Sequence, residues 1–251
     1  MATPHPNEGQ SEDMALNLAL EDLADVSVTR ELFFPGDEVR LAGQIDYPTE
    51  TRTPNGFPLL FVLNDSGCTS RRMYDHYANL GLDCGYAVFR WDKRGTGRSG
   101  ASGRGSATRD AVYAYQTALE QPGVDPNRVV ILAVGGGTAL LGNTFAMYKR
   151  IQRPAMIVLV SNQLDSASIE ALDTRLAVVA GEHDWSPWLS YVKAACDAHR
   201  AAYTYGTAFY VAPRADRMLM TTKRGAIVFH DGARKVMRDW LNSLDQALAY
   251  S

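Results

Sequence analysis

Cysteine is scarce in this chain. Of 251 residues only Cys68, Cys84 and Cys196 are cysteine, an odd number, widely spaced and without a C-x-x-C pair. That argues against a disulfide framework and a zinc site, and it suits a reducing compartment. Long apolar runs are missing too, since none approaches the roughly 20 residues that a membrane-spanning helix needs. Positive charge is not in excess: the formal net charge is −3. No footprint for nucleic acid and no basic face for a membrane is therefore expected. The opening residues, MATPHPNEGQSED, show no basic segment leading into an apolar stretch, so no secretory signal is read there. The expectation is a cytoplasmic protein with a disordered polar tail over residues 1–18 and a single domain over 19–251. No metal and no cofactor is expected.

What the chain does have is core-building material, 46% hydrophobic against 21% charged, the balance of a globular protein. VSVTRELFFP and VRLAGQIDYP flank the turn residues PGDE and predict a hairpin near 26–34 and 39–47. FPLLFVLND (57–65) is almost continuously apolar, as for a parallel strand buried on both faces. Helix and strand then alternate. Helices are predicted near 71–83, 107–120 and 187–203, with another after the strand 128–134 running to about 149. Strands are predicted at 86–92, 128–134, 155–161, 176–182 and 207–213. A last helix opens at the candidate N-cap Asp231 and runs to about 248, with Val236, Trp240 and Leu244 on one face. Such alternation predicts an α/β fold, a mostly parallel eight-stranded sheet with helices on both faces. Sites in these folds lie beyond the carboxyl ends of the strands.

The residues after those strands are NDSGCTS (64–70), DKRGTGRSG (92–100), VGGGTA (134–139), GEHDWSP (181–187) and PRADRM (213–218). With the hairpin lead-in and the strand order, these loops resemble the α/β-hydrolase family over roughly residues 26–248. The run Asp92-Lys93-Arg94-Gly95-Thr96-Gly97-Arg98-Ser99 is similar to that family's motif after the fourth strand. The resemblance implies that Asp184 stands at the acid of the catalytic triad. It places Gly135 where a nucleophile would sit in G-x-S-x-G. It places Arg217 where the histidine would follow an aspartate. Two of three triad groups are thus replaced. The family's common His-Gly pair after the third strand reads Asn64-Asp65.

Glycine offers no attacking atom, and arginine stays protonated and cannot act as a base. In a serine protease the loss of either group alone costs on the order of a millionfold in turnover. The resemblance leaves an oxyanion-type pocket of Asn64, Asp65, Ser66 and Gly136, whose backbone N–H groups would stabilise negative charge. An inward Asp65 carboxylate would weaken it, and the sequence leaves that direction open. Asp184 and Arg217 are expected to form a charge-assisted pair, the alternative being two solvated loop charges. Cys68 and Ser161 are candidate relocated nucleophiles, with packing as the alternative. His183 is expected at the surface, His230 near the cap of the last helix, and His76 and His199 on helix surfaces.

GTGRSG (95–100) formally matches a dinucleotide fingerprint, but no helix opens directly after it, and GGGTALLG lacks the ending of a phosphate loop. Between the sixth and seventh strands only NQLDSASIEALDTR intervenes, too little for a substantial cap domain. The pocket is then open unless a partner subunit, as in a homodimer, or the tail covers it. Trp185, Trp188 and Tyr191 would either wall that pocket or pack their helix onto the sheet.

Three functions follow. The first is a non-hydrolytic enzyme of cyclase, isomerase or lyase type acting on a small organic molecule. The second is an inactive relative that binds a small molecule or serves as a scaffold. The third is an esterase with a relocated nucleophile.

Overall fold

The computed structural model describes residues 28–49, 54–67, 70–101, 103–184 and 189–248. Strands β1 (Val28–Pro35) and β2 (Arg40–Tyr47) form the expected hairpin. Then come β3 (Phe57–Leu63), a short 3-10 turn (Arg71–Tyr74), α1 (Asp75–Asp83), β4 (Ala87–Asp92), α2 (Ala107–Leu119), β5 (Val124–Val134) and α3 (Gly136–Ile151). The second half holds β6 (Met156–Val160), α4 (Ser166–Glu170), β7 (Arg175–Gly181), α5 (Leu189–Ala202) and β8 (Thr207–Ala212). A separate ribbon, β9 (Met220–Lys223) with β10 (Ala226–Phe229), precedes α6 (Asp231–Leu248).

The eight strands run in the order β1-β2-β4-β3-β5-β6-β7-β8. Only β2 opposes its neighbours; the remaining pairs are parallel. The continuous apolar runs are explained by this layout. Every residue of β3, β4 and β6 is buried, because helices cover both faces. On one face Leu59, Phe61, Leu63, Ile131 and Leu159 meet α2, α3 and α5; on the other Leu60, Val62, Val130, Leu132 and Val158 meet α1 and α6.

Beyond β6, a segment of fourteen residues (161–174) precedes β7 and contains only the five-residue α4, so no cap is inserted there. Asp165 caps α4, accepting the Ser168 N–H at 2.7 Å. β3 lies between β4 and β5, so the chain leaves it first to one side and later returns to the other. In open α/β sheets the carboxyl ends of strands at such a switch, here β3 and β5, are the usual place for a ligand site.

Several local expectations are corrected. The predicted helix at 71–83 starts as a 3-10 turn, and α6 buries Ala233, Met237, Leu241 and Leu244, leaving Val236 and Trp240 at the margin of that stripe. His230, not Asp231, caps α6: its Nδ1 accepts the Ala233 N–H at 3.1 Å, while Asp231 pairs with Lys223 at 2.8 Å. His199 is fully buried, with Nδ1 2.7 Å from Thr207 Oγ1 and Nε2 2.7 Å from the Leu172 carbonyl. The carbonyl can only accept, so Nε2 donates. His76 is half-buried against Tyr77 and Phe229. The β9–β10 ribbon went unforeseen because its two-residue turn is Arg224-Gly225, both at positive φ (52° and 82°), instead of the usual Asn-Gly or Asp-Gly.

Candidate functional site

The sharp turn from β5 into α3 is built on Gly135, at φ 53° and ψ −120°. Its N–H donates to the Val160 carbonyl at 2.9 Å, and its own carbonyl accepts from Thr138 N and Thr138 Oγ1 at 2.9 and 2.7 Å. This is the strained strand-to-helix geometry that exposes a side chain at the top of a sheet. Here there is no side chain, and there is no room for one. A Cβ at Gly135 would lie 2.5 Å from Asp65 Cγ and 2.7 Å from Arg217 Nη2, and nearer still to Asp65 Oδ1.

The next two glycines are also steric requirements. A Cβ at Gly136 would lie 2.6 Å from Ser66 Oγ, and one at Gly137 2.7 Å from the Asn64 carbonyl. The triple glycine lets the loop after β3 rest directly on the turn after β5.

That close approach delivers the Asp65 carboxylate to the turn. Oδ1 accepts the Gly136 N–H at 2.6 Å and the Ser66 N–H at 2.7 Å, with Ser66 Oγ at 3.3 Å. Oδ2 pairs with Arg217 Nη2 at 2.7 Å. The Asp65 side chain is 10% exposed and that of Arg217 49%. So the carboxylate points inward, and the two backbone donors converge on an atom of the chain itself.

Arg217 pairs with Asp65, and among the described residues no ion pair joins it to Asp184. The reason is the loop after β8. Asp216 Oδ1 accepts Met218 N and Met220 N, each at 2.8 Å, folding the loop on itself and leaving Arg217 to reach across to β3. Asp184 is half-buried, its N–H bonded to the Gly181 carbonyl at 3.0 Å, and its carboxylate has no hydrogen bond or ion pair among the described residues.

Ser161 follows β6 beside the turn, buried and at φ 53°, and no hydrogen bond links it to a histidine among the described residues. Cys68, Trp185 and Trp188 lie outside the described residues. Tyr191 is 58% exposed on α5, whose packed stripe is Val192, Ala195, Cys196 and His199. Asn64 turns its Nδ2 to the Trp91 carbonyl at 2.7 Å, which anchors the loop to β4.

Two further residues fix the Asp65 backbone. The Asp65 N–H donates to the hydroxyl of the buried Tyr74 at 2.8 Å, and Lys93 Nζ donates to the Asp65 carbonyl. Lys93 carried a signal, since it directly follows β4. Tyr74 carried none; its partner is set by how the 3-10 turn folds back.

The glycine motif after β4 is a structural lock. Asp92 Oδ1 accepts Arg71 N at 2.8 Å; its Oδ2 accepts Arg71 Nη1 at 2.9 Å and Arg98 N at 3.0 Å. A Cβ at Gly97 would lie 2.6 Å from Asp92 Oδ1. Ser99 Oγ accepts the Ala42 N–H at 2.9 Å and donates to the Asp92 carbonyl. The Arg98 N–H goes to Asp92, and the N–H groups of Gly95, Thr96, Ser99 and Gly100 go to backbone carbonyls, so this loop does not cradle a phosphate.

Similar folds recur among solved structures. A dienelactone hydrolase-like promiscuous phosphotriesterase from metagenomic libraries matches with TM-score 0.64 at 17% identity, over 88% of this chain and 99% of its own. The chain has the α/β-hydrolase fold. A predicted CIB-like hydrolase from Thermoplasma acidophilum gives TM-score 0.62 at 15% identity, over 87% of this chain and 100% of that one. A serine hydrolase without lid from Xanthomonas campestris gives 0.58 at 14% identity, over 88% and 94%. No protein-family model and no curated protein matches the sequence. At such identities the likeness concerns the α/β-hydrolase fold alone, and chemistry has to be argued from the side chains.

Proposed function

We propose that this protein uses the α/β-hydrolase scaffold to bind a small organic molecule and does not hydrolyse it through a covalent intermediate. One observation carries the reading: the Asp65 carboxylate takes the Gly136 and Ser66 N–H donors and fills the space above Gly135. Acyl transfer needs a nucleophile at that apex and needs those donors free for the developing oxyanion. Here the apex is a glycine, the donors serve a resident anion, and the cation over it cannot accept a proton. On this reading the triad is degenerate, with Asp184 as its one surviving position.

The enzyme reading favoured by the sequence assigned those backbone donors to a substrate. Their use by Asp65 favours binding over non-hydrolytic catalysis. The half-buried Asp184 carboxylate, without an ion pair among the described residues, keeps that second reading in view, since an unspent charge can position a reacting molecule. The proposal includes a cytoplasmic location: the scattered cysteines suit it, and no described helix is long and apolar enough to cross a membrane.

The test uses p-nitrophenyl acetate and butyrate with a fluorophosphonate probe. The expected result is no turnover above buffer and no covalent adduct by mass spectrometry. Ester turnover with an acyl adduct on any residue overturns the reading and restores the esterase. Turnover without an adduct would mean direct hydrolysis by water with no acyl-enzyme, which overturns binding without chemistry, and Asp184→Asn should then abolish it.

A further inference from the structure

The contacts of Asp65 are those of a bound anion. One oxygen takes two backbone N–H groups from different elements, Gly136 at the start of the sixteen-residue α3 and Ser66 in the loop after β3, with the Ser66 hydroxyl as a third, longer donor. The other oxygen takes a guanidinium N–H from a third element, the loop after β8. Donors from three separate parts of the chain meet around one carboxylate that is almost fully removed from solvent. Charge-assisted bonds of this kind are about twice as strong as neutral ones, and the helix N-terminus adds a favourable dipole.

The side chain of aspartate is also, atom for atom, acetate with one hydrogen replaced by the bond to Cα. Deleting it leaves a cavity of acetate's size and shape. The donors stay in place, because Gly136 is fixed by α3 and the steric fit of the three glycines, and the loop backbone by Tyr74 and Asn64.

We propose that the Gly136 N–H, the Ser66 N–H and the Arg217 guanidinium form a carboxylate-binding site that the protein keeps filled with its own Asp65. The site accepts a free small monocarboxylate, formate or acetate, once that side chain is removed. In the native chain Asp65 is an internal occupant that excludes external anions from the turn after β5. This goes beyond the proposed function: ester assays read chemistry, whereas the following experiment reads only occupancy, so either can fail alone.

The experiment compares thermal midpoints in sodium acetate and in sodium chloride of equal concentration and pH, at about neutrality. For Asp65→Gly, acetate should raise the midpoint over chloride by about 2–4 °C when it is present well above its dissociation constant. Wild type and Asp65→Asn, whose site remains filled, should show no such difference. Asp65→Gly combined with Arg217→Ala should show a smaller acetate effect, since the half-exposed guanidinium is one of the three donors. Equal midpoints in the two salts for Asp65→Gly overturn the proposal, as does an equal acetate effect in the wild type. If Asp65→Gly does not accumulate folded, the yield of native Asp65→Ala on refolding from urea replaces the midpoint. A higher yield in acetate than in chloride supports the site, and equal yields refute it.

Discussion

The packing of Asp65 against Gly135 makes a quantitative prediction for a double-mutant cycle. In Gly135→Ala the new methyl would sit 2.5 Å from Asp65 Cγ and 2.7 Å from Arg217 Nη2, so the carboxylate must leave its two donors or the turn must shift. Overpacking of this kind costs about 1–3 kcal/mol. The left-handed backbone at φ 53° adds roughly 1–2 kcal/mol for a residue with a Cβ. In Asp65→Ala the Gly136 and Ser66 N–H groups lose their acceptor, at about 1–3 kcal/mol for each that water does not reach. Arg217, half-exposed, contributes little to that loss.

In the double variant the clash with the carboxylate is gone, and the half-exposed Arg217, no longer held by Asp65, can move off the methyl, so mainly the backbone cost and the unmet donors remain. The double variant should therefore be more stable than the sum of the single losses predicts, by about 1–3 kcal/mol. Urea denaturation of the four proteins reads this directly, provided the slope m is the same in all. Additivity within about 0.5 kcal/mol would refute the claim that Asp65 occupies the space above the turn.

Three other outcomes are expected. Burial lowers the pKa of His76 below its ordinary 6.5, an effect only partly offset by the Met218 backbone and by Asp216. The folded state therefore binds that proton less readily than the unfolded chain, and stability present above about pH 6.5 falls as the pH drops toward the lowered value. His76→Phe, which keeps the ring against Phe229, should show a smaller loss of urea midpoint between pH 7 and 5 than wild type; an identical loss contradicts the assignment. Burial pushes the thiols of Cys84 and Cys196 up to about 11 and about 12. Neither should be alkylated by iodoacetamide in the native protein at pH 8, and peptide mapping that finds native labelling of Cys196 would sink this. Arg71→Met removes the buried partner of Asp92, whose side chain is 3% exposed. A loss of about 3–5 kcal/mol in urea unfolding is expected, and a change under 1 kcal/mol would show that Asp92 does not depend on the pair.

Much of the site could be located from the sequence, although its contacts could not. The loop after each strand was identifiable because a parallel strand covered on both faces must be apolar throughout, so its end is marked where polar residues begin. FPLLFVL giving way to Asn64-Asp65-Ser66 is such an end, and RVVILAV giving way to Gly135-Gly136-Gly137 another. The histidines were harder to place. His199 and His76 sit at helical spacings that fit either face, and which face is covered depends on partners such as Thr207, Leu172 and Phe229. The pairing of Arg217 was misjudged for the same reason: two carboxylates were within plausible reach, and chain order does not say which one the folded loop after β8 approaches.

By itself the sequence determined the alternation of strand and helix, the carboxyl-end loops and the absence of an attacking atom at residue 135. All of these depend on local composition and on periodicity along the chain. Only the tertiary structure decided that Asp65, 71 residues before Gly136, turns inward and occupies its N–H. That choice follows from β3 and β5 being neighbours in the sheet, and from three glycines that let their loops touch. Contact between segments so far apart depends on which surfaces pack together, and neither segment encodes that alone.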